Sequence, residues 1–242
     1  MINSLYDIFK KWSTKGSIYI ISDLHFSDQG SFEFRAKNNK LPENVKTVEA
    51  LDNFIISNIN KVAHKNDCLI ILGDVGNIEC ITKLKAGYKV LLLGNHDRGA
   101  DYYKRISADL TNLKADLAKT AEIPKELLMS KHETNNPVIF DNRLFDEVYS
   151  GPLMISDKII LSHEPIIPCP DYLVNLCGHV HAKDHKFKVD DHQYYNFCAE
   201  AIDYKPVSLG ELIKGGLLSK VKDIHRATVD GVITRKKHRA EH

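Results

Sequence analysis

Polar side chains that can bind metals or move protons directly follow five short apolar runs of this chain. The segment VLLLGNHD, residues 90–97, is the densest example, because an amide, an imidazole and a carboxylate come right after an apolar run and one glycine. A single histidine or aspartate in such a position is commonly a loop residue or a helix cap. Five runs that all end this way indicate a shared site instead. The residues concerned are Asp23, His25, Asp74, Asn95, His96, Asp97, His163, His179 and His181.

The chemistry of these side chains points to divalent metals and phosphoryl transfer. Imidazoles and carboxylates without thiolates suit manganese, iron, cobalt, nickel or zinc, and manganese is the metal we expect first. The set is larger than one catalytic ion needs, so we predict two ions. Two ions about 3.5–4 Å apart can clamp the attacking and leaving oxygens of a phosphoryl transfer. Such a pair needs a bridging ligand, which a carboxylate provides.

The apolar runs themselves predict the elements that position these residues. Runs of Ile, Leu and Val with four to six members indicate strands buried on both faces. A helical apolar pattern over residues 45–62 separates the first two runs, and residues 78–86 form a short helix candidate between the next two. This alternation predicts right-handed crossovers and a largely parallel sheet, whose strand ends share one crevice. The runs cover residues 18–21, 68–72, 90–93, 159–161 and 172–177.

The remaining segments predict a helical insertion, a second sheet and a basic tail. Residues 98–134 have a helical apolar stripe and no polar strand end, so we interpret them as an insertion or cap on a domain of residues 1–214. From residue 138 the apolar runs shorten, which suits hairpins and a second sheet. Residues 215–242 carry seven Lys or Arg against three acids. We predict a solvated tail there, with contact to nucleic acid as the alternative.

Composition narrows the classes of protein that this chain can be. Its 242 residues are 43% hydrophobic and 27% charged, which is typical of a globular protein with a substantial core. The net charge of +1 provides no general attraction to nucleic acid or anionic lipid. The longest apolar runs are too short to span a bilayer, and no signal peptide is evident, so we predict a cytoplasmic protein without membrane contact. Five cysteines without a CxxC motif predict buried thiols rather than disulfides.

Five motifs in order resemble the signature of the calcineurin-like metallophosphoesterase superfamily. They are Asp23-x-His25, Gly73-Asp74, Gly94-Asn95-His96-Asp97, His163 and Gly178-His179-x-His181. Together they span about residues 17–182, and the segment DYKPVSLGEL at 203–212 is similar to the end of small prokaryotic and phage-type members. The resemblance implies an α/β fold in which a two-sheet β-sandwich is flanked by helices.

The resemblance also implies a role for each motif residue. A hydroxide shared by two metals would attack phosphorus in line with the leaving oxygen. His96 would contact the phosphate or protonate the leaving group, Asp97 would orient His96, and Asn95 and Arg98 would contact the substrate. The implied ligands are Asp23, His25 and His181 for the first metal, Asp74 as the bridge, and Asn95, His163 and His179 for the second metal.

Departures from better-known branches of the family narrow the expected substrate. Ser/Thr protein phosphatases typically show GDxxDRG and GNHE, where this chain has GDVGN and GNHD. Pyrophosphatases of the lipid A pathway usually carry Arg at the position of His96. What remains is a small phosphodiester, a nucleotide or a phosphomonoester. A nuclease acting on RNA or DNA ends is the second hypothesis, and a non-catalytic interaction scaffold of the same fold is the third.

Overall fold

The computed structural model describes residues 12, 16–38, 40–97, 138–139, 144–149, 151–182, 184–189 and 192–221. The predicted insertion at 98–134 lies outside these residues, as do Arg98 and residues 222–242 of the predicted tail. Two mixed sheets and the helices beside them make up the described part. The predicted α/β fold with two sheets is therefore confirmed.

The described strands are short, and five of them overlap the five apolar runs that precede the polar residues. Their bounds are β1 (Ile18–Ile21), β2 (Cys68–Ile71), β3 (Tyr88–Leu92), β4 (Val138–Ile139), β5 (Glu147–Tyr149), β6 (Leu153–Met154), β7 (Ile159–Leu161), β8 (Val174–Cys177), β9 (Lys186–Val189), β10 (His192–Asn196) and β11 (Val207–Ser208).

The first sheet has the strand order β11-β1-β2-β3-β5-β4. Its four central strands are parallel, and β11 and β4 add antiparallel edges. Every residue of β2 is buried, as a strand covered on both faces requires. The predicted crossovers between parallel strands therefore bring the ends of β1, β2 and β3 to one edge of this sheet.

The second sheet has the order β6-β7-β8-β10-β9. The pairs β6–β7 and β9–β10 are antiparallel, whereas β7, β8 and β10 are parallel. The hairpins and second sheet expected after residue 138 are present, with one difference. The pair β4–β5 extends the first sheet, because β5 lies parallel to β3 with Val90 opposite Glu147.

Three α-helices and two 3₁₀-helices accompany the strands in the described residues. They are α1 (Gln29–Lys37), α2 (Val48–Val62), α3 (Leu209–Lys214) and the 3₁₀-helices Ile78–Lys83 and Ala199–Ile202. Helix α2 confirms the apolar pattern, since Leu51, Ile55 and Ile59 are buried on one face. Its N-cap is Thr47, whose side chain accepts from the Ala50 amide at 3.1 Å. The predicted helix at 78–86 is a shorter 3₁₀-helix.

The core is continuous across both sheets. Buried side chains of β1, β2, β3, β7 and β8 form one cluster, joined by the inner face of α2. All five cysteines are buried and none forms a disulfide, which confirms the interpretation of their spacing. Among the helices described, none has the length and apolarity that crossing a membrane requires.

The two sheets meet at the end of β1. Ser22 forms a parallel bridge with Cys198, in which its amide donates to Phe197 O at 2.8 Å and its carbonyl accepts from the Ala199 amide at 3.0 Å. The loops that follow the parallel strands of both sheets consequently open onto the same place. This junction is where the predicted site residues collect.

Candidate metal centre

The loops that leave the parallel strands hold their polar residues in an unusual backbone conformation. Five of them have φ between 47° and 67°, in the left-handed region. For residues other than glycine, such conformations cost about 1–3 kcal/mol each and cluster at functional sites. Backbone hydrogen bonds between neighbouring loops support them, such as Asp23 N to Gly73 O at 3.0 Å. The five residues are Asp23, His25, Asp74, His179 and His181.

The first group of facing ligand atoms comprises Asp23, His25 and His181, whose ligand atoms all lie within 4.8 Å of one another. Asp23 Oδ1 lies 3.3 Å from His181 Nε2 and 3.9 Å from His25 Nε2. Within the described chain, Asp23 Oδ1 and His25 Nε2 are buried without a hydrogen-bond partner. An unsatisfied buried polar atom costs about 1–3 kcal/mol, and a cation would satisfy both atoms at once. These residues therefore fit a metal ion.

The second group comprises Asp74, His163 and His179, again with ligand atoms within 4.8 Å of one another. The Asn95 Oδ1 atom lies 2.7 Å from His163 Nε2 and 3.0 Å from His179 Nδ1. His163 Nδ1 donates to Leu72 O at 2.7 Å, which leaves Nε2 of the neutral ring with a lone pair toward the group. An amide oxygen and two imidazole nitrogens thus converge beside a carboxylate, and they too fit a metal ion.

Asp74 lies between the two groups. Its Oδ2 atom is 3.6 Å from His25 Nε2 in the first group and 3.4 Å from His163 Nε2 in the second. Its Oδ1 atom accepts from the His96 amide at 3.0 Å, which fixes the carboxylate plane. The structure thus brings all seven predicted ligands together, with Asp74 between the two groups. Their binding of metal stays a prediction.

His96 stands at the exposed rim of the site. Its ring centroid is 5.2 Å from that of His25, and the two rings meet edge to face. The side chain is exposed, while its backbone amide is tied to Asp74. Its imidazole therefore borders both the first group and the solvent.

Asp97 has a role that sequence reasoning missed. Its carboxylate is fully buried and accepts from the backbone amides of Gly94 at 2.7 Å, Asp74 at 2.9 Å and Val75 at 3.1 Å. Burial raises its pKa, although the amides of Gly94 and Val75 oppose the change. We assign it a positioning role, because it fastens the loop after β2 to the loop after β3. Its predicted orientation of His96 stays a prediction.

Comparison with known proteins identifies the family. The sequence model of the calcineurin-like phosphoesterases matches residues 16–200, which include both ligand groups. The chain belongs to the calcineurin-like phosphoesterase family. A solved protein of unknown function from Aquifex aeolicus aligns over 82% of this chain and 98% of its own length, at 22% identity and a TM-score of 0.48. The comparison with curated proteins gives no match.

Groups behind the predicted ligands of this phosphoesterase form hydrogen bonds that the family motifs do not indicate. His25 Nδ1 lies 3.3 Å from Asp28 Oδ2, and Asp28 also caps α1. Asp23 Oδ2 accepts from the His179 amide at 2.9 Å and from Cys198 Sγ at 3.2 Å, so that Oδ1 faces the site. The N-cap pattern of Asp28 is a signal that could have been read from the sequence. The hydrogen bond from the Cys198 thiol has no such signal in the sequence.

Two glycines are required because backbone passes very close to the carboxylate ligands. A Cβ atom on Gly178 would lie 2.3 Å from Asp23 Oδ2 and 2.0 Å from Ser22 Oγ. A Cβ atom on Gly94 would lie 2.1 Å from Asp74 Oδ1. Atoms cannot approach this closely, so a larger residue at either position would force neighbouring groups, Asp23 and Ser22 or Asp74, to shift.

The Gly178→Ala variant is expected to bind its first metal at least about tenfold more weakly, because the added methyl pushes Asp23 out of place. Calorimetric titration of the metal-free protein with Mn²⁺ measures this. The matched control is Gly210→Ala, where the nearest atom, Ser208 Oγ, lies at an ordinary 3.7 Å. Wild-type Mn²⁺ affinity in Gly178→Ala, with native circular dichroism, would contradict the placement of Asp23.

Metal binding is expected to strengthen as pH rises toward about 9. Burial lowers the pKa of His163, but the hydrogen bond to Asp74 and the charges of Asp23 and Asp74 outweigh it and raise the pKa to about 9. A protonated imidazole cannot bind a metal, so the ion must displace this proton at neutral pH. Below pH 9, each decrease of one pH unit should lower the apparent affinity for the metal by up to about tenfold.

Calorimetry in two buffers of different ionisation enthalpy tests this pH dependence, because it counts the protons released on Mn²⁺ binding. We expect close to one proton from this group at pH 7 and fewer at pH 9.5. Equal proton release at the two pH values would contradict the expectation.

Proposed function

We propose that this chain is a dinuclear metal-dependent phosphoesterase that hydrolyses a small phosphodiester or phosphomonoester. The observation that supports the proposal best is the position of Asp74 Oδ2, which lies 3.6 Å from a ligand nitrogen of one group and 3.4 Å from a ligand nitrogen of the other. Two unrelated structural metal sites would have no need of a shared carboxylate. Two ions that act on one phosphate must lie close together, and a shared carboxylate holds them there.

The charges of the ligands favour an anionic substrate. Asp23 and Asp74 are the two carboxylates among the seven ligands, and Asn95 adds a neutral oxygen. Two divalent cations bound there keep a net positive charge, which attracts a phosphate. When bound, the metals would supply Lewis acidity that neutralises phosphate charge and activates an attacking water.

The chain's own residues would orient the substrate and handle the leaving group. Asp97 and the Gly94 turn hold Asn95 and His96 in register with Asp74. His96 is exposed beside His25, so its imidazole would donate a proton to the departing oxygen. A basic alkoxide leaving group needs such a proton donor, whereas a leaving group that is already a stable anion does not. The presence of His96 therefore favours a phosphoester of an ordinary alcohol, such as a phosphodiester.

An exposed aromatic ring beside the first group favours an organic substrate of nucleotide type. Phe34 is 45% exposed, and its ring centroid lies 5.8 Å from that of His181. Val180, which lies in the sequence between His179 and His181, is 38% exposed. Apolar side chains left open at the rim can contact a base or another flat group, since base–aromatic stacking contributes about 1–3 kcal/mol.

A substrate panel tests the proposal. The protein is stripped with a chelator, reloaded with Mn²⁺, and incubated with a bis-aryl phosphodiester, an aryl phosphomonoester, cyclic nucleotides, dinucleotides and single-stranded oligonucleotides. We expect turnover of at least one small ester, which stops on chelation and returns with Mn²⁺. If protein shown to bind two ions turns over nothing with Mn, Fe, Co, Ni or Zn, the scaffold hypothesis is the better one.

The basic segment at 222–242 motivates the second candidate, a nuclease acting on RNA or DNA ends. A truncation that tests it must leave residues 215–221 in place, because Leu217 is 4% exposed and belongs to the core. Removal of 222–242 should leave small-ester turnover unchanged under both hypotheses. A selective loss on oligonucleotides would favour the nuclease, and an equal rate on them would remove it.

A further inference from the structure

A buried ion pair lies directly behind the first ligand group. Arg35 of α1 and Glu200 of the 3₁₀-helix Ala199–Ile202 have no side-chain exposure, and Arg35 Nη2 and Nε lie 3.1 Å and 3.2 Å from Glu200 Oε2. The other oxygen of Glu200 lies 2.6 Å from His181 Nδ1. Glu200 is therefore shared between a guanidinium and the imidazole of a ligand.

Arg35 reaches the other side of the same ligand group. Its Nη2 atom donates to the carbonyl of Asp23, and Nη1 donates to Leu24 O at 3.4 Å. Asp23 follows the first sheet and His181 follows the second. The Arg35–Glu200 pair thus connects two ligands that come from different sheets, and it fixes His181 with Nε2 toward the site.

Among the described residues, no carboxylate lies behind an imidazole of the second group. His163 Nδ1 donates to the neutral carbonyl of Leu72 at 2.7 Å, whereas both imidazoles of the first group face carboxylates, Asp28 for His25 and Glu200 for His181. A carboxylate partner orients an imidazole and makes it a more basic ligand than a carbonyl does. The two groups therefore differ in their outer hydrogen bonds although their ligand types are similar.

Stabilisation of the fold does not explain why the Arg35–Glu200 ion pair is buried. Taking two charges out of water costs several kcal/mol per ion, and a well-packed apolar pair often stabilises a fold as well or better. Arg35 is also a cation close to a site that must bind a cation, so it would weaken metal binding unless Glu200 offset its charge.

We propose that Glu200, held by Arg35, is a positioning residue that makes the first group bind its metal more tightly than the second. The inference rests on the proposed dinuclear function for the presence of two ions. It adds that the ions bind with unequal affinity, and that a residue outside the ligand set causes the difference.

The test separates the two groups before it perturbs Glu200. His179→Ala removes a ligand of the second group, so Mn²⁺ titration in that background reports the first group. His25→Ala removes a ligand of the first group and leaves the second for measurement. We expect Glu200→Gln to weaken Mn²⁺ binding by about 10–100-fold in the His179→Ala background and by less than about twofold in the His25→Ala background. The exposed Glu211→Gln is the matched control and should change neither.

A double variant distinguishes positioning from folding. Glu200→Gln leaves Arg35 buried without a counter-charge, whereas Arg35→Met with Glu200→Gln removes both charges at similar volume. We expect the double variant to be more thermally stable than Glu200→Gln while the first group stays at least about tenfold weaker, because His181 still lacks its carboxylate and the Asp23 carbonyl lacks Arg35. It also carries the comparison should the single variant fail to fold.

Three results would overturn the inference: wild-type affinity in the double variant, an equal loss in both groups, or no loss in either. The proposed function fails separately, because it is judged by turnover. A parent protein that binds two Mn²⁺ ions but hydrolyses nothing would refute the enzyme and leave the affinity comparison standing.

Discussion

Replacing Asp74 with asparagine is expected to reduce kcat/KM by more than about 100-fold and to weaken binding of both metals, since even residues behind a metal ligand contribute up to that factor. The substitution removes one of the two carboxylate charges and keeps the shape. Burial raises the pKa of Asp74, but the hydrogen bond and charge of His163 and the amide of His96 outweigh it, so the pKa is lowered and the group is an anion. The two cations would lose the charge that lies between them.

The measurement is a two-site Mn²⁺ titration of Asp74→Asn together with turnover of a small phosphodiester. Asp67→Asn is the matched control, because Asp67 also accepts from backbone amides, those of Ser17 at 2.9 Å and His64 at 2.8 Å, but before β2 rather than after it. The control should keep both metals and full activity. Two ions bound at wild-type affinity in Asp74→Asn would refute the bridging assignment.

Replacing His96 with alanine should leave both metals bound and lower turnover by about 10²–10⁴-fold for esters with poor leaving groups. The reason is geometric. His96 is exposed at the rim, and its side chain is not part of either ligand group, so its loss removes a proton donor without opening the metal centre. For a p-nitrophenyl ester, whose leaving group needs little protonation, the loss should be much smaller.

The dependence on the leaving group is what distinguishes a proton donor from a residue that only binds phosphate. A phosphate contact would lower turnover of good and poor leaving groups alike. His64→Ala, which removes an exposed imidazole at the opposite end of β2, is the control and should change neither rate. Equal losses for both kinds of ester in His96→Ala would end the general-acid assignment.

The sequence predicts well those features whose signal is carried by residue type. Helix α2 could be predicted because Leu51, Ile55 and Ile59 form an apolar stripe, and such a stripe is buried against the core. The convergence of Asp23, Asp74 and the histidines could be predicted because histidine and aspartate at successive strand ends have few structural reasons to recur. Asparagine before a helix is a common cap, and Asn77 caps the 3₁₀-helix by accepting from the Glu79 amide at 3.1 Å.

Helix α1 could not be predicted, because its buried face carries a charge. Arg35 is its buried residue, so the segment has no apolar periodicity to detect. The pairing of β4 with β5 was missed because a short strand does not record which sheet it joins. The need for a glycine at position 94 could not be predicted, because it arises from the close approach of Asp74 Oδ1, which would collide with a side chain there. Contacts between distant segments decide all three features, and local sequence does not encode them.

Each ligand group takes side chains from both sheets. Asp23 and Asp74 follow strands of the first sheet, and their partners His181 and His163 follow strands of the second. Ions bound there would cross-link the two sheets at their junction. Any ligand that binds only the folded state stabilises that state by mass action. A chelator would then act on this protein as a denaturant as well as an inhibitor.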